Sequence, residues 1–115
     1  MIYILENNSD FINALGKWLN KRNIEYVVHT SQEDYKFIDA KYYLIDLQLE
    51  NWYSFDIIKD IRSRTKSPIA MFTHHTEHNL LRKGIESWAN YYFCKDDVNL
   101  YSIHLEILWK MKDYA

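Results

Sequence analysis

Apolar and polar positions fall along this chain in two kinds of block. Short, nearly unbroken apolar runs occur at Ile2 to Leu5, at Tyr42 to Leu47 and in the IAMF that leads to Thr73. They read as strands buried on both faces. Glu25 to His29 and the YYFC that ends at Lys95 complete a set of five. Between them, apolar residues recur at helical spacing. Phe11, Leu15, Trp18 and Leu19 share one face of a helix that Asn8 or Ser9 can cap. Ser31 and Asp34 resemble a capping box and predict a brief helix through Ile38. Phe55, Ile58, Ile61 and Arg62 mark a helix to about Thr65, which Ser67-Pro68 stops. Leu81, Ile85 and Trp88 mark another, and a last helix runs from near Asp97 almost to the C-terminus.

The order is strand then helix, five times over. Short apolar strands between amphipathic helices predict an α/β fold, a doubly wound five-stranded parallel sheet with helices on both faces. Right-handed crossovers leave few topologies. A length of 115 residues suits a single domain spanning 1–115. With 48% hydrophobic and 26% charged residues the composition is globular. The formal net charge of −2 argues against nucleic acid or an anionic membrane as a bulk electrostatic partner. One cysteine, Cys94, excludes an internal disulfide and a Cys-based zinc site. It reads as a small buried core residue. The start MIYILENN lacks the features of a signal peptide, and no run approaches a membrane span, so a cytoplasmic location is expected.

In doubly wound sheets chemistry gathers at the carboxyl ends of the strands. Glu6-Asn7 follow the first strand, Asp46 ends the third, Thr73 the fourth and Lys95 the fifth. A nucleophilic carboxylate, an acidic neighbour, a hydroxyl and an ammonium at one rim suit phosphoryl transfer to a carboxylate. Asp46 is then the nucleophile. Glu6 helps to hold a hard divalent cation. Lys95 pairs first with Asp46 and later with a phosphoryl oxygen, and Thr73 donates a hydrogen bond to the transferred group. Each residue also has a plainer reading. Asp46 alone fits a turn or helix cap, Lys95 a solvated strand end, and Thr73 the propensity of a β-branched residue. The histidines of HHTEH, His74, His75 and His78, lack the spacing of a helical zinc motif and read as a polar loop.

Four stretches, in order, carry a resemblance to the receiver domains of bacterial two-component response regulators. IYILENN resembles the receiver's first strand and acidic pocket. DLQLENWYSFDIIKDIR resembles its phosphoacceptor strand, loop and following helix. SPIAMFT resembles its fourth strand with the switch hydroxyl, and WANYYFCK its fifth strand with a switch aromatic and the site lysine. The resemblance covers nearly the whole chain. It implies a flavodoxin-like sheet of strand order 2-1-3-4-5. It also implies phosphotransfer from a histidine kinase or phosphotransfer protein to Asp46, assisted by Lys95 and Thr73. Mg²⁺ is the implied cofactor, held by Glu6, Asn7, Asp46 and the backbone carbonyl of Gln48. A shift of Thr73 and Tyr92 then alters the surface that a downstream protein reads. The implied role is signalling, with at most self-catalysed phosphotransfer and dephosphorylation.

The chain also departs from the family pattern. Asn7 stands where a carboxylate usually meets Mg²⁺, so the implied binding is weak. Asp96 replaces the proline that usually follows the site lysine through a cis bond; a non-proline cis bond costs about 3 kcal/mol, so that loop is either trans or strained. His74 follows the switch hydroxyl, where a small residue is usual. Trp88 replaces a glycine, and Glu50-Asn51 replace Pro-Gly. These changes suit an alternative, a degenerate receiver acting as a phosphorylation-independent docking or dimerisation module. A small hydrolase using Asp46 has no evident base beyond Glu6 and the histidines. The last helix bears an apolar arc around roughly two thirds of its circumference, from Val98 to Trp109 and Met111, wider than packing on a sheet needs. That surplus predicts a partner, foremost a second copy meeting the last helix and the helix before it.

Overall fold

The computed structural model describes residues 1–49, 52–73 and 89–94. In chain order the elements are β1 (Ile2–Leu5), α1 (Ser9–Lys21), β2 (Tyr26–His29), β3 (Tyr42–Asp46), β4 (Gln48–Leu49), β5 (Trp52–Tyr53), α2 (Phe55–Arg64), β6 (Ile69–Thr73) and β7 (Tyr91–Cys94). Five strands form one sheet in the order β2-β1-β3-β6-β7, and every neighbouring pair is parallel. Numbered within that sheet alone, the order is 2-1-3-4-5. The order reverses beside β1, so β1 and β3 flank the switch point where doubly wound sheets open a crevice.

Strand alternation divides the apolar residues between two cores. Ile2 and Ile4 of β1, Tyr42 and Leu44 of β3 and Ala70 of β6 pack with Leu15 and Leu19 of α1. Phe11 and Trp18 join this cluster half-buried, which completes the helical face that the spacing predicts. On the other side Tyr3, Leu5, Tyr43, Ile45, Ile69 and Met71 pack with Ile57, Ile58 and Ile61 of α2. The two helices thus cover opposite faces of the sheet.

Local chemistry sets the helix ends. Asn8 caps α1 by accepting the Phe11 N–H on Oδ1 at 3.0 Å. Asp10 in its first turn and Lys21 in its last suit the helix dipole. The chain leaves α1 through Asn23, which has φ of 55°, a left-handed conformation that asparagine tolerates. Gly16 lets α1 approach β2: a Cβ there would lie 2.6 Å from the Tyr26 hydroxyl.

The predicted helix from Ser31 through Ile38 does not form. Its first turn does, with the Asp34 N–H on Ser31 Oγ at 3.2 Å and the Tyr35 N–H on the Gln32 carbonyl at 3.1 Å. Residues 35–40 then run without regular structure, and Tyr35, Phe37 and Ile38 pack onto the α2 side of the sheet. Packing and hydrogen bonding account for the change. The irregular chain lets Tyr35, Phe37 and Ile38 all reach the α2-side core, and the Tyr43 hydroxyl takes the Ala40 N–H at 3.0 Å and donates to the Ile38 carbonyl at 2.6 Å, bonds that a helix would have made within itself. The third strand also ends at Asp46, one residue earlier than the apolar run suggests, and a two-stranded hairpin of β4 and β5 follows.

Among the described residues no helix is long and apolar enough to cross a membrane. The helix around Leu81, Ile85 and Trp88, the HHTEH histidines, Lys95, Asp96 and the last helix with Trp109 lie outside the described residues, as do Glu50 and Asn51.

Candidate functional site

The paired register of β1 and β3 ends at Leu5 and Ile45. One step further, Glu6 and Asp46 stand on neighbouring chains at the carboxyl edge of the sheet, at a strand spacing of about 4.8 Å. Both are buried, Glu6 at 0% and Asp46 at 4% exposure. The site is therefore a pair of sequestered acids at the switch point, where the sequence pattern predicts it.

Each acid is held by backbone donors. Glu6 Oε1 accepts the N–H groups of Asn7 and Asn8, both at 3.0 Å. The Glu6 N–H itself bonds the His29 carbonyl at 3.0 Å, which extends the β1–β2 ladder to the acid. Asp46 Oδ1 accepts the Gln48 N–H at 3.0 Å, the local turn that an aspartate makes two residues ahead of its partner. Such donors offset part of the cost of burying each carboxylate.

The hairpin keeps that turn in place. Gln48 pairs with Tyr53 and Leu49 with Trp52, so the chain doubles back directly after Asp46. Leu47 and Leu49 are buried on the α2 side. Ser54, fully buried, donates its hydroxyl to the Asp46 carbonyl at 2.5 Å and its N–H to the Leu47 carbonyl at 2.9 Å. Neither the hairpin nor Ser54 stands out in the pattern of apolar positions. The available signal was Ser54 itself, a typical capping residue just ahead of the Phe55 helix.

The remaining predicted residues divide by what is described. Thr73 ends β6 and pairs with Cys94, one step beyond Phe72, which pairs with Asp46. Tyr92 lies opposite Met71 in β7. The backbone thus brings Thr73 to the same sheet edge as Asp46. Lys95, next after β7, lies outside the described residues.

As metal donors, the acids Glu6 and Asp46, the exposed amide of Asn7 and the carbonyl of Gln48 offer oxygen alone. That chemistry fits a hard divalent cation. Among the described residues no group of three or more His, Cys, Asp and Glu side chains is placed to hold a metal ion.

No family model matches the chain, and no curated protein matches it. Solved structures do. A response regulator receiver protein from Pseudoalteromonas atlantica superposes with a TM-score of 0.79 at 15% identity, over 97% of this chain and 98% of that one. A two-component response regulator from Clostridium difficile gives 0.76 at 19% identity, over 92% and 90%. A response regulator protein from Burkholderia pseudomallei, solved with a phosphorylated aspartic acid, a calcium ion and citrate, gives 0.70 at 17% identity, over 82% of this chain and 58% of that one. Strand order, switch point and superposition agree that this chain has the fold of a response-regulator receiver domain.

Proposed function

We propose that the chain is a signalling receiver in which Asp46 accepts a phosphoryl group from a histidine kinase or phosphotransfer protein. The observation that carries this reading is the placement of Glu6 and Asp46, buried side by side at the carboxyl edge of β1 and β3. In the step, an Asp46 carboxylate oxygen attacks phosphorus as the P–N bond of a phosphohistidine breaks. The bonding pair leaves with the imidazole nitrogen, which takes up a proton, and an acyl phosphate forms. The Gln48 N–H steadies the carboxylate and Glu6 supplies negative charge for a cation. Mg²⁺, when bound by Glu6, Asp46, Asn7 and the Gln48 carbonyl, would neutralise charge on the transferred group. Thr73 reports the change from the end of β6, with Tyr92 in β7 and Lys95 beyond it, and a downstream protein or a second copy reads the altered surface. The metal and the phosphorylated aspartic acid of the Burkholderia pseudomallei protein support this reading by analogy of fold.

The exposed amide of Asn7 favours a second reading, a degenerate receiver that docks or dimerises without phosphate. One experiment separates the two. The protein is incubated with Mg²⁺ and acetyl phosphate and its intact mass is recorded, with Asp46→Asn alongside. The receiver reading expects one phosphoryl adduct on the wild type and none on Asp46→Asn. A wild type that takes no adduct at saturating Mg²⁺ would leave the docking module.

A further inference from the structure

We infer that Ser54 is a positioning residue for the Asp46 carboxylate, an assignment that rests on the reading of Asp46 as phosphoacceptor. The clue is a hydroxyl put to an unusual use. Ser54 occupies the N-cap position of α2, with φ −87° and ψ 17°, yet its side chain makes no cap hydrogen bond. A serine there ordinarily accepts an N–H from the first turn of its helix. This one turns away and donates to the Asp46 carbonyl at 2.5 Å.

The consequence is a three-bond clamp around Asp46, Leu47 and Gln48. Ser54 Oγ–H holds the Asp46 carbonyl, Ser54 N–H holds the Leu47 carbonyl at 2.9 Å, and Gln48 N–H holds Asp46 Oδ1 at 3.0 Å. The first two bonds close the hairpin onto the end of β3. The third passes that rigidity to the carboxylate. Gln48 is also the residue whose carbonyl is assigned to the metal, so one clamp sets both the nucleophile and a neutral ligand. Ser54 bonds the backbone of Asp46 and Leu47 and not the Asp46 carboxylate, so it is a positioning group.

The test compares two serines that make the same kind of bond at opposite ends of the sheet. Ser67 Oγ donates to the Ala40 carbonyl at 2.7 Å, at the amino ends of the strands. Ser54→Ala and Ser67→Ala each lose one hydroxyl-to-carbonyl bond, and Ser67→Ala also loses the bond from the Thr65 hydroxyl at 3.1 Å, so it reports at least the full general effect on stability. Two quantities are read in the full-length protein: amide hydrogen exchange at Gln48 by NMR, and Mg²⁺ affinity by calorimetry. Ser54→Ala should speed Gln48 exchange and weaken Mg²⁺ by about tenfold, the lower range for a group that orients a metal ligand. Ser67→Ala should do neither. If Ser54→Ala does not fold, Ser54→Gly is read in the same way. Gln48 exchange in the Ser54 variant no faster than in Ser67→Ala overturns the assignment. A wild type that binds no Mg²⁺ and takes no phosphoryl group overturns the receiver reading instead, and Gln48 exchange still decides the role of Ser54.

Discussion

Asp46 is the last residue of β3, 4% exposed, and level with Glu6, one step beyond the paired Leu5 and Ile45. Backbone donors reduce the desolvation cost of each acid. On the proposed receiver reading a divalent cation would meet the charge of both. On that reading Asn7 would set how strongly the metal is held. Its backbone N–H serves Glu6, while its side chain is exposed, so the side chain can change at little cost to folding. Asn7→Asp adds a third charged oxygen donor and should tighten Mg²⁺ about tenfold, equivalent to about 1.4 kcal/mol. The measurement is the rise in thermal midpoint on adding Mg²⁺, which grows with affinity by mass action. The rise should be larger for Asn7→Asp than for wild type and absent for Asp46→Asn. Equal rises in wild type and Asn7→Asp would remove Asn7 from the ligand set.

The segment from Thr30 to Lys41 shows what an element does when its predicted helix fails. Tyr35 leaves the turn at Ser31–Asp34 and donates its hydroxyl to Asp60 Oδ2 of α2 at 2.5 Å. Arg64 approaches the same carboxylate at 3.1 and 3.2 Å. The Tyr35 hydroxyl, helped by Arg64 and opposed by burial, holds the Asp60 carboxyl below its ordinary 3.8. A carboxyl with a depressed folded-state pKa contributes stability above its unfolded value and loses it as pH falls through the folded one. Tyr35→Phe should therefore cost about 1 kcal/mol near neutral pH, the worth of one hydrogen bond to a partly solvated charge. The midpoint difference from wild type in urea should shrink as pH drops below 3.8. A difference independent of pH would place the effect in packing. The same segment explains what the sequence revealed and what it hid. β1, β3, β6 and α1 were legible because unbroken apolar runs and a helical apolar face both agree with their tertiary surroundings. The turn at Ser31–Asp34 was legible too, but nothing local to it says that the Tyr43 hydroxyl will bond the backbone of Ile38 and Ala40 beyond it. At the site, Glu6 and Asp46 were legible as charges ending apolar runs. The clamp was not, because Ser54 carries a capping signal and satisfies another group.

Across the molecule both faces of the sheet mix aliphatic and aromatic side chains. On the α2 side, where the Tyr35–Ala40 segment runs without regular structure, several rings gather into one group. Tyr3 lies edge-on to Tyr35 and to His29, at centroid distances of 6.2 and 5.1 Å, and Phe37 stacks on Tyr43 at 6.5 Å. The hydroxyls within this layer are satisfied internally: Tyr3 with His29 Nδ1 at 2.8 Å, Tyr35 with Asp60, and Tyr43 donating to the Ile38 carbonyl at 2.6 Å. Burial pushes the ionisation of all three tyrosines above the ordinary 10.0, with Tyr43 and Asp34 adding to the effect on Tyr3. A group whose folded pKa is raised gives its full contribution below the unfolded value and loses it as pH climbs toward the folded one. The fold should therefore weaken above pH 10.0, where the unfolded chain ionises its tyrosines and the native layer does not. Lysines titrate near 10.4 as well, so the slope of wild type alone assigns nothing. Tyr3→Phe isolates one tyrosine's share. It keeps the ring contacts, loses the bond to His29, and should cost about 1 kcal/mol below pH 10.0. Above that pH its urea midpoint should fall less steeply than that of wild type, because one buried hydroxyl no longer resists ionisation. Parallel curves through the alkaline range would mean that Tyr3 ionises equally in the folded and unfolded chains, and the aromatic layer would then be no drier than the surface.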